Sequence, residues 1–423
     1  MKKRIISWLT KEERMQRHPF LRRFFWRRGD ICRRMEMQAA RVRRKKLITV
    51  AFMALDLPCW KCDSVFRHMM SHPRFRPVIW IVPELQIKDE VERQRKLTDM
   101  RRYFSDCGYP VADLYTLEQI RAEYAPDIVF LAKPYWGTTS YDVYDLDQEL
   151  VCNVPYCYHN TERGGFQHMQ EEFVWRNYFS SYGVLRQARK YMRNGGANVR
   201  IVGHPVADAF LYSGVGVTIS SPWKHYHCKQ LQVIWAPHWS INGQSWFSTA
   251  TFLELADGML ELAVKYADCI QWAFKPHPLL RDVLYQHPDW GKERTDAYYE
   301  RWSAMPHTQL DSGDYVELFK QSDAMIHDSG SFIIEYLLVD KPCMYLQNEN
   351  LNQVEFNEDT REALACYSKG RTMEDVEQFL KNLLSDSEDT FKAARAHYKQ
   401  RYLQPPCGVS AAQNIINDIL NGR

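Results

Sequence analysis

The sequence predicts an α/β protein made of two doubly wound parallel sheets in tandem. Three observations carry that prediction. Apolar runs of strand length alternate with helical stretches, the pattern of a parallel sheet covered on both faces. The chain has 423 residues, more than one core commonly holds, so two domains fit best. A stretch near its middle, "SGVGVTISSPWKHYHCK" at 213–229, is rich in Gly, Ser and Pro and reads as the linker.

The elements follow in order. "LITVAFMA" (47–54) reads as a buried strand, "SVFRHMMSH" as a helix and "PVIWIVP" (77–83) as a second strand. "EVERQRKLTDMRRYFSDCG" is a charged amphipathic helix ending near Gly108. "VADLY" is a weak strand, "LEQIRAEY" a helix, "PDIVFLAKP" (126–134) a strand and "VCNVPYCYH" (151–159) another. "VRIVGHPVADAFL" (199–211) closes the first series. The second opens with the strand "LQVIWAP" (231–237) and the helix "FLELADGMLELAVKYAD" (252–268). "CIQWAFKPHP" is a strand with its loop, "DYVELFKQS" a helix, "DAMIHD" a strand, "SFIIEYLLVD" a helix and "PCMYL" a strand. "MEDVEQFLKNLLSD" and "SEDTFKAARAHYKQRYL" read as helices. The expected parts are an arm at 1–46, α/β domains at 47–214 and 228–385, and terminal helices at 386–423.

Charge is unevenly spread. Residues 1–46 hold 17 Lys or Arg and four Asp or Glu, while the whole chain has a net charge of +3. The body is therefore acidic and the arm basic. Trp8, Phe20, Leu21, Phe24, Phe25 and Trp26 interleave with the arginines. Such a mixture suits an anionic membrane surface, a helix packed on the body, or nucleic acid. The acidic body argues against an extended nucleic-acid face, so none is assigned and the membrane reading is adopted. No stretch has the roughly 18–20 apolar residues that span a bilayer, and no signal-peptide core is present. Eleven scattered cysteines read as reduced thiols of a cytoplasmic protein. Cys59 and Cys62 form a lone CxxC, read as core thiols. His225, His227 and Cys228 lack a nearby acidic partner, and no metal is assigned to them.

Two stretches carry chemistry. In "FKPHPLLRD" (274–282), Lys275, His277 and Arg281 follow a strand, at the ligand rim of a parallel sheet. Pro276 and Pro278 fix that loop and delay the helix. Cationic groups held there suit phosphate oxygens. In "MIHDSGSFIIEYLLVDKP" (325–342), Asp328, Ser329, Gly330 and Ser331 stand between a strand and a helix. Helix N-termini attract anions, Gly330 allows close approach, and Ser331 is placed to cap. The plainer alternative makes Ser331 a cap and His277 a loop histidine. A third candidate is His159 in "YHNTERGG", expected at a strand end, where an imidazole takes a proton from a hydroxyl.

The order of these motifs resembles the CDP-glycerol glycerophosphotransferase family, which includes teichoic acid primases and polymerases. Its His-Gly-Thr motif with a nearby lysine is matched by His159-Asn160-Thr161 with Glu162 and Arg163. Its Gly-x-Pro-x-x-Asp element is matched by Gly203 through Asp208. Trp235-Ala236-Pro237-His238-Trp239-Ser240 stands for the stretch that opens the second domain, with His238 and Ser240 in place of threonine and arginine. Lys275-Pro276-His277-Pro278 stands for Lys-x-His-Pro. His327-Asp328-Ser329-Gly330-Ser331, followed by Glu335, stands for the last element. The resemblance runs over about residues 47–365.

The resemblance implies a GT-B-like fold whose two sheets face a cleft. It implies attack of an acceptor hydroxyl on the β-phosphorus of CDP-glycerol, with release of CMP. His159 would be the base, with Thr161 and Arg163 on the acceptor side. His277 and residues 329–331 would hold the pyrophosphate, with Lys275, Arg281 and Asp328 nearby. CDP-glycerol is the donor substrate and no cofactor is implied. The acceptor would be a lipid-linked glycan or polyol phosphate used in teichoic acid-like or capsular polymer synthesis. The protein would then work on the inner face of the cell membrane, attached through residues 1–46. Two alternatives stand beside this: a GT-B glycosyltransferase or UDP-sugar epimerase, and a non-catalytic membrane-associated adaptor.

Overall fold

The computed structural model describes residues 30–422, apart from 86, 88, 134–137, 144, 167, 168, 213–220, 226–229, 242–248 and 386. The aromatic residues of the basic arm, most of the expected linker, His227 and Cys228 lie outside the described residues.

Among the described residues, thirteen strands form two sheets, and every strand pair is parallel. The first sheet contains β1 (Ile48–Ala54), β2 (Phe75–Ile81), β3 (Val111–Asp113), β4 (Ile128–Leu131), β5 (Leu150–Asn153), β6 (Arg176–Phe179) and β7 (Val199–Ile201). Their order is β3-β2-β1-β4-β5-β6-β7. The second contains β8 (Leu231–Ala236), β9 (Ile270–Phe274), β10 (Thr308–Leu310), β11 (Ala324–His327), β12 (Cys343–Leu346) and β13 (Ser368–Gly370), ordered β10-β9-β8-β11-β12-β13. In each sheet the chain starts centrally, builds to one side, then crosses to the other. That reversal lies between β1 and β4 in the first sheet and between β8 and β11 in the second. Ligands of open parallel sheets bind outside the carboxyl ends of strands at such reversals.

The chain forms two compact units. The first takes the chain up to Tyr158, then Arg163–Gly216 and Gln404–Arg423; the second takes His159–Glu162 and Val217–Leu403. The sequence reading differs at three places. The helix Asp30–Arg44, expected in the arm, buries Ala39 and Val42 in the first unit's core. Its Glu36 pairs with the buried Arg176 at 2.8 Å. The last helix, Ala411–Asn421, expected to stand apart, joins the same core through Ala412, Ile415, Ile416 and Ile419. Residues 159–162, expected in the first domain, cluster with the second unit.

Three strands escape the sequence reading because their apolar signal is weak. β10 ("TQL") and β13 ("SKG") have three residues each. β6 carries Arg176 and Asn177 into the interior. Arg176 is tolerated there because Asp418 receives its Nε at 3.0 Å; a buried charge without a partner would be expensive. β5 also ends earlier than expected, at Asn153. Pro155 has no N–H to extend the ladder, so His159 sits in a loop rather than at a strand end.

The second unit's core lies beneath the ends of β8 and β9. Trp235 stacks on Phe274 at 5.0 Å, and Phe274 stacks on Trp302 at 5.1 Å. All three are fully buried. This aromatic block sits one residue before β8 ends and at the last residue of β9, so it holds both strand ends in place.

Candidate functional site

At the reversal of the second sheet, three chain segments leave the same edge. Residue 237 follows β8, 275 follows β9 and 328 follows β11. The register aligns His327 with Ala236 and Trp235 with Phe274. Backbone bonds continue past the strands: Lys275 N–H donates to the Trp235 carbonyl at 2.8 Å and His277 N–H to the Pro237 carbonyl at 2.9 Å. His277 is thereby fixed beside His238, with ring centroids 5.0 Å apart.

Asp328 organises the edge. Its carboxylate is fully buried and accepts His238 N–H at 2.6 Å, Thr251 N–H at 2.6 Å and Thr251 Oγ1–H at 2.9 Å. Burial raises its pKa to about 6, and these donors work against the rise. Asp328 is thus a clamp for the loops after β8 and before the helix Phe252–Lys265, rather than the donor-binding side chain expected from the sequence.

The histidines are neutral. Burial lowers His277 to about 3, with His238 adding to the shift, and lowers His238 to about 4. The bonding assigns a tautomer to His277. Leu279 N–H donates to its Nδ1 at 3.1 Å, so the proton sits on Nε2. His277 therefore offers an uncharged N–H donor. His327 has the other tautomer: its Nδ1 faces the Ser329 carbonyl at 3.2 Å, an acceptor, so Nδ1 carries the proton. That bond ties Ser329 back onto β11.

The expected cations are already paired. Lys275 is buried, with Nζ 2.6 Å from Asp311 Oδ1 and 2.7 Å from the Gly313 carbonyl. Arg281 pairs with Asp296 at 2.7 Å. The rim anticipated as cationic is therefore balanced by carboxylates distant in sequence. Ser331 occupies the cap position in helical backbone geometry, with no side-chain capping bond. The helix behind it runs only from Phe332 to Glu335 before tightening into a 3₁₀ turn, Tyr336–Val339, so its dipole is small. Ser329 and Gly330 are buried at the loop.

His159 and its neighbours are held against this loop. Asn160 Nδ2 donates to the Gly330 carbonyl at 2.8 Å. Asn357 Nδ2 donates to the His159 carbonyl at 2.6 Å, and Asn357 N–H to the Asn160 carbonyl at 3.0 Å. Thr161 forms an isolated bridge with Phe356. Arg163 belongs to the first unit, its guanidinium 5.7 Å from the Tyr191 ring. Burial lowers His159 to about 4, so its imidazole is a weaker base than the ordinary value anticipated. The structure thus gathers His159, His277 and residues 328–331 in one unit, with Lys275 and Arg281 engaged elsewhere.

Sequence reasoning missed His238, Thr251 and Asn357. His238 was visible as a substitution within a motif; Thr251 and Asn357 carry no local signal, since their partners lie 77 and 198 residues away. The Gly203–Asp208 motif, by contrast, is structural. Asp208 accepts Ala411 N–H at 2.8 Å and Ala412 N–H at 2.9 Å, clasping the last helix. Cys59 and Cys62 are buried thiols whose pKa burial pushes well up. Among the described residues, no group of three or more His, Cys, Asp or Glu could hold a metal ion.

No protein-family model matches the chain, and no curated protein is significantly similar to it. Solved structures are. A variant of the wall teichoic acid polymerase TagF matches with a TM-score of 0.58 at 12% identity, over 94% of this chain and 93% of that one. The UDP-GlcNAc 2-epimerase of Neisseria meningitidis, bound to UDP-GlcNAc, matches with a TM-score of 0.55 at 14% identity, over 88% and 99%. S. aureus MnaA with UDP gives 0.55 at 16% identity, over 90% and 98%. The fold is GT-B. At these identities the likeness concerns architecture, and in the GT-B frame the edge of β8, β9 and β11 belongs to the second α/β unit. No helix among the described residues is long and apolar enough to cross a membrane.

Proposed function

We propose that this GT-B chain is a transferase for a nucleotide-activated donor, that the donor is CDP-glycerol, and that glycerol phosphate passes to an acceptor hydroxyl. The observation that carries this reading is the uncharged donor set at one switch point: His277 Nε2–H beside His238, on a frame clamped by Asp328. Donors fixed in advance stabilise phosphoryl oxygens without reorganising during reaction. The motif order around His277 and residues 329–331 favours CDP-glycerol among such donors.

In this reading His277 donates to a pyrophosphate oxygen, and the Ser329 and Ser331 hydroxyls serve the same group. The acceptor oxygen attacks the β-phosphorus. The bond from that phosphorus to the bridging oxygen breaks, and CMP leaves with the electron pair. His159 takes the hydroxyl proton. Because burial lowers its pKa to about 4, it is in the accepting form throughout the neutral range. Its modest basicity makes positioning the larger contribution. The acceptor is a lipid-linked glycan or polyol phosphate. Residues 1–29, with ten Lys or Arg and two Glu, would keep the protein at an anionic membrane. Liposome sedimentation should fall on deleting them and on raising salt.

A second reading, a UDP-sugar epimerase or glycosyltransferase, draws on the epimerase structures with TM-scores of 0.55. A nucleotide panel separates the two. CDP-glycerol and CMP should raise the melting temperature more than UDP-GlcNAc and UDP, and turnover should release CMP. A preference for UDP-GlcNAc, or release of UDP, establishes the second reading instead. Donor binding without turnover on any acceptor would leave a non-catalytic adaptor.

A further inference from the structure

Asn160 and Asn357 are neighbours, and the fold uses their side-chain amides differently. Residues 160–162 lie alongside 355–357. Asn357 N–H donates to the Asn160 carbonyl at 3.0 Å, and Glu162 N–H to the Glu355 carbonyl at 2.8 Å. Both ends of the Asn357 amide serve the chain itself. Its Nδ2 donates to the His159 carbonyl at 2.6 Å, and its Oδ1 accepts Thr360 N–H at 2.9 Å. In Asn160 only Nδ2 is used, on the Gly330 carbonyl at 2.8 Å. Its Oδ1 is buried and has no hydrogen-bond partner among the described residues. All of these residues belong to the second unit.

Turning the amide over does not cure this. Reversed, Oδ1 would face the Gly330 carbonyl, acceptor against acceptor. The Asn160 backbone is held by Asn357 and its amide by Gly330, so Oδ1 is fixed at the loop of residues 328–331. Buried acceptors without donors are rare, because each forgoes the hydrogen bond that water would give it. One held in place at a candidate site is a preformed contact for a ligand group that donates. Polarity narrows that group. Phosphoryl oxygens are acceptors and would be repelled, so pyrophosphate is not its partner. On the transferase reading, Gly330 lies in the loop that serves the pyrophosphate, and the attacking hydroxyl gives its proton to His159. The remaining donors beside the pyrophosphate are hydroxyls of the group being transferred.

We propose that Asn160 is a specificity residue, whose Oδ1 accepts a hydrogen bond from a hydroxyl of the polyol or sugar attached to the donor's distal phosphate. The inference rests on reading this edge as the site of a nucleotide-activated donor, but not on which nucleotide that donor carries. Asn160 then discriminates against donors whose transferred group lacks hydroxyls, since these leave Oδ1 buried and unpaired.

The test measures affinities by calorimetry on the full chain, as wild type and as Asn160→Ala. The ligands are CDP-glycerol and the ethyl ester of CDP, which keeps the pyrophosphate but carries no hydroxyl on the attached group. Wild type should bind CDP-glycerol about tenfold more tightly than the ester. In Asn160→Ala the two should bind alike. The variant also leaves the Gly330 carbonyl without its donor, which disturbs the loop for every ligand, and the ratio of the two affinities cancels that effect. The wild-type ratio requires no variant, so it stands even if Asn160→Ala is unstable. The proposal is overturned if wild type does not prefer CDP-glycerol, or if Asn160→Ala keeps the preference. An effect confined to the acceptor's KM, with donor affinities unchanged, places the hydroxyl on the acceptor and overturns it as well. Should neither cytidine ligand bind, the CDP-glycerol reading fails by itself, and UDP-GlcNAc against the ethyl ester of UDP supplies the same ratio. Absence of binding in both series overturns the inference too.

Discussion

Asp208 and Asp328 solve the same problem in different units. Each is a fully buried carboxylate whose oxygens accept two backbone N–H groups from distant chain: Ala411 and Ala412 for Asp208, His238 and Thr251 for Asp328. Burial raises both pKa values. What differs is the thing clasped. Asp208 holds the start of a helix whose apolar face completes a core. Asp328 holds the loop that carries His238, beside His277, at the proposed donor edge. One device thus clasps a helix in the first unit and, in the second, orders the loops of the edge proposed above to take the donor. Their sequence settings, Gly-x-Pro-x-x-Asp and His-Asp-Ser-Gly-Ser, do not reveal which is which.

The sharpest way to break this comparison is to delete both carboxylates. Asp328→Ala should lower donor affinity by about a hundredfold, since buried N–H groups lose their acceptors and the His238 loop loses its anchor. Asp208→Ala should cost stability on the order of 3 kcal/mol with donor affinity unchanged. Calorimetry with CMP, at a temperature where both variants are folded, gives the answer. Equal loss of affinity in the two would end the distinction.

The histidines offer a milder version. His204 resembles His277 in bonding: its Nδ1 accepts Val206 N–H at 3.3 Å and its Nε2 faces the Pro155 carbonyl at 3.1 Å. In His204 the Nε2 proton is therefore used within the fold. His277→Ala should weaken CMP and CDP-glycerol binding about tenfold, whereas His204→Ala should lower the melting temperature alone. A donor affinity that survives His277→Ala removes His277 from the site.

Gly203 sharpens the structural side. It has φ +86°, and a Cβ there would lie 2.8 Å from the Pro405 Cβ. Gly203→Ala should cost about 2 kcal/mol through strain and the clash, without changing nucleotide binding. An unfolding curve matching wild type would contradict the close approach.

The two carboxylates and the histidines also set a pH dependence. Asp328 rises from 3.8 to about 6 in the fold, so it binds more protons folded than unfolded in that window. Its contribution is complete below pH about 4 and is lost as pH rises to about 6, a change on the order of 3 kcal/mol. His238 and His277, lowered to about 4 and about 3, run the other way: their contribution is complete above the ordinary 6.5 and is lost on acidification. Asp328→Asn removes only the first trend. Relative to wild type, its urea stability should therefore improve as pH goes from 4 to 6. A constant difference across that window would show that Asp328 is not raised.

The alternation of strands and helices, the tandem sheets and the loops that bear His277 and residues 328–331 are legible along the chain. Those features rest on apolar runs such as "ITVAFMA" and "IQWAF", whose periodicity is local and survives reading along the chain. Tertiary structure decided everything that depends on a partner remote in sequence. Lys275 looked like a phosphate ligand until Asp311, 36 residues away, neutralised it. Residues 159–162 looked like first-domain chain until Asn357, and Gly330 170 residues from Asn160, drew them into the second unit. β6 was hidden because the charge of Arg176 masks its strand character, and that charge is buried only because Asp418, 242 residues on, receives it. Burying a charge or a backbone amide is costly unless a partner is present, so the role of each polar residue was set by which distant group the fold brought to it.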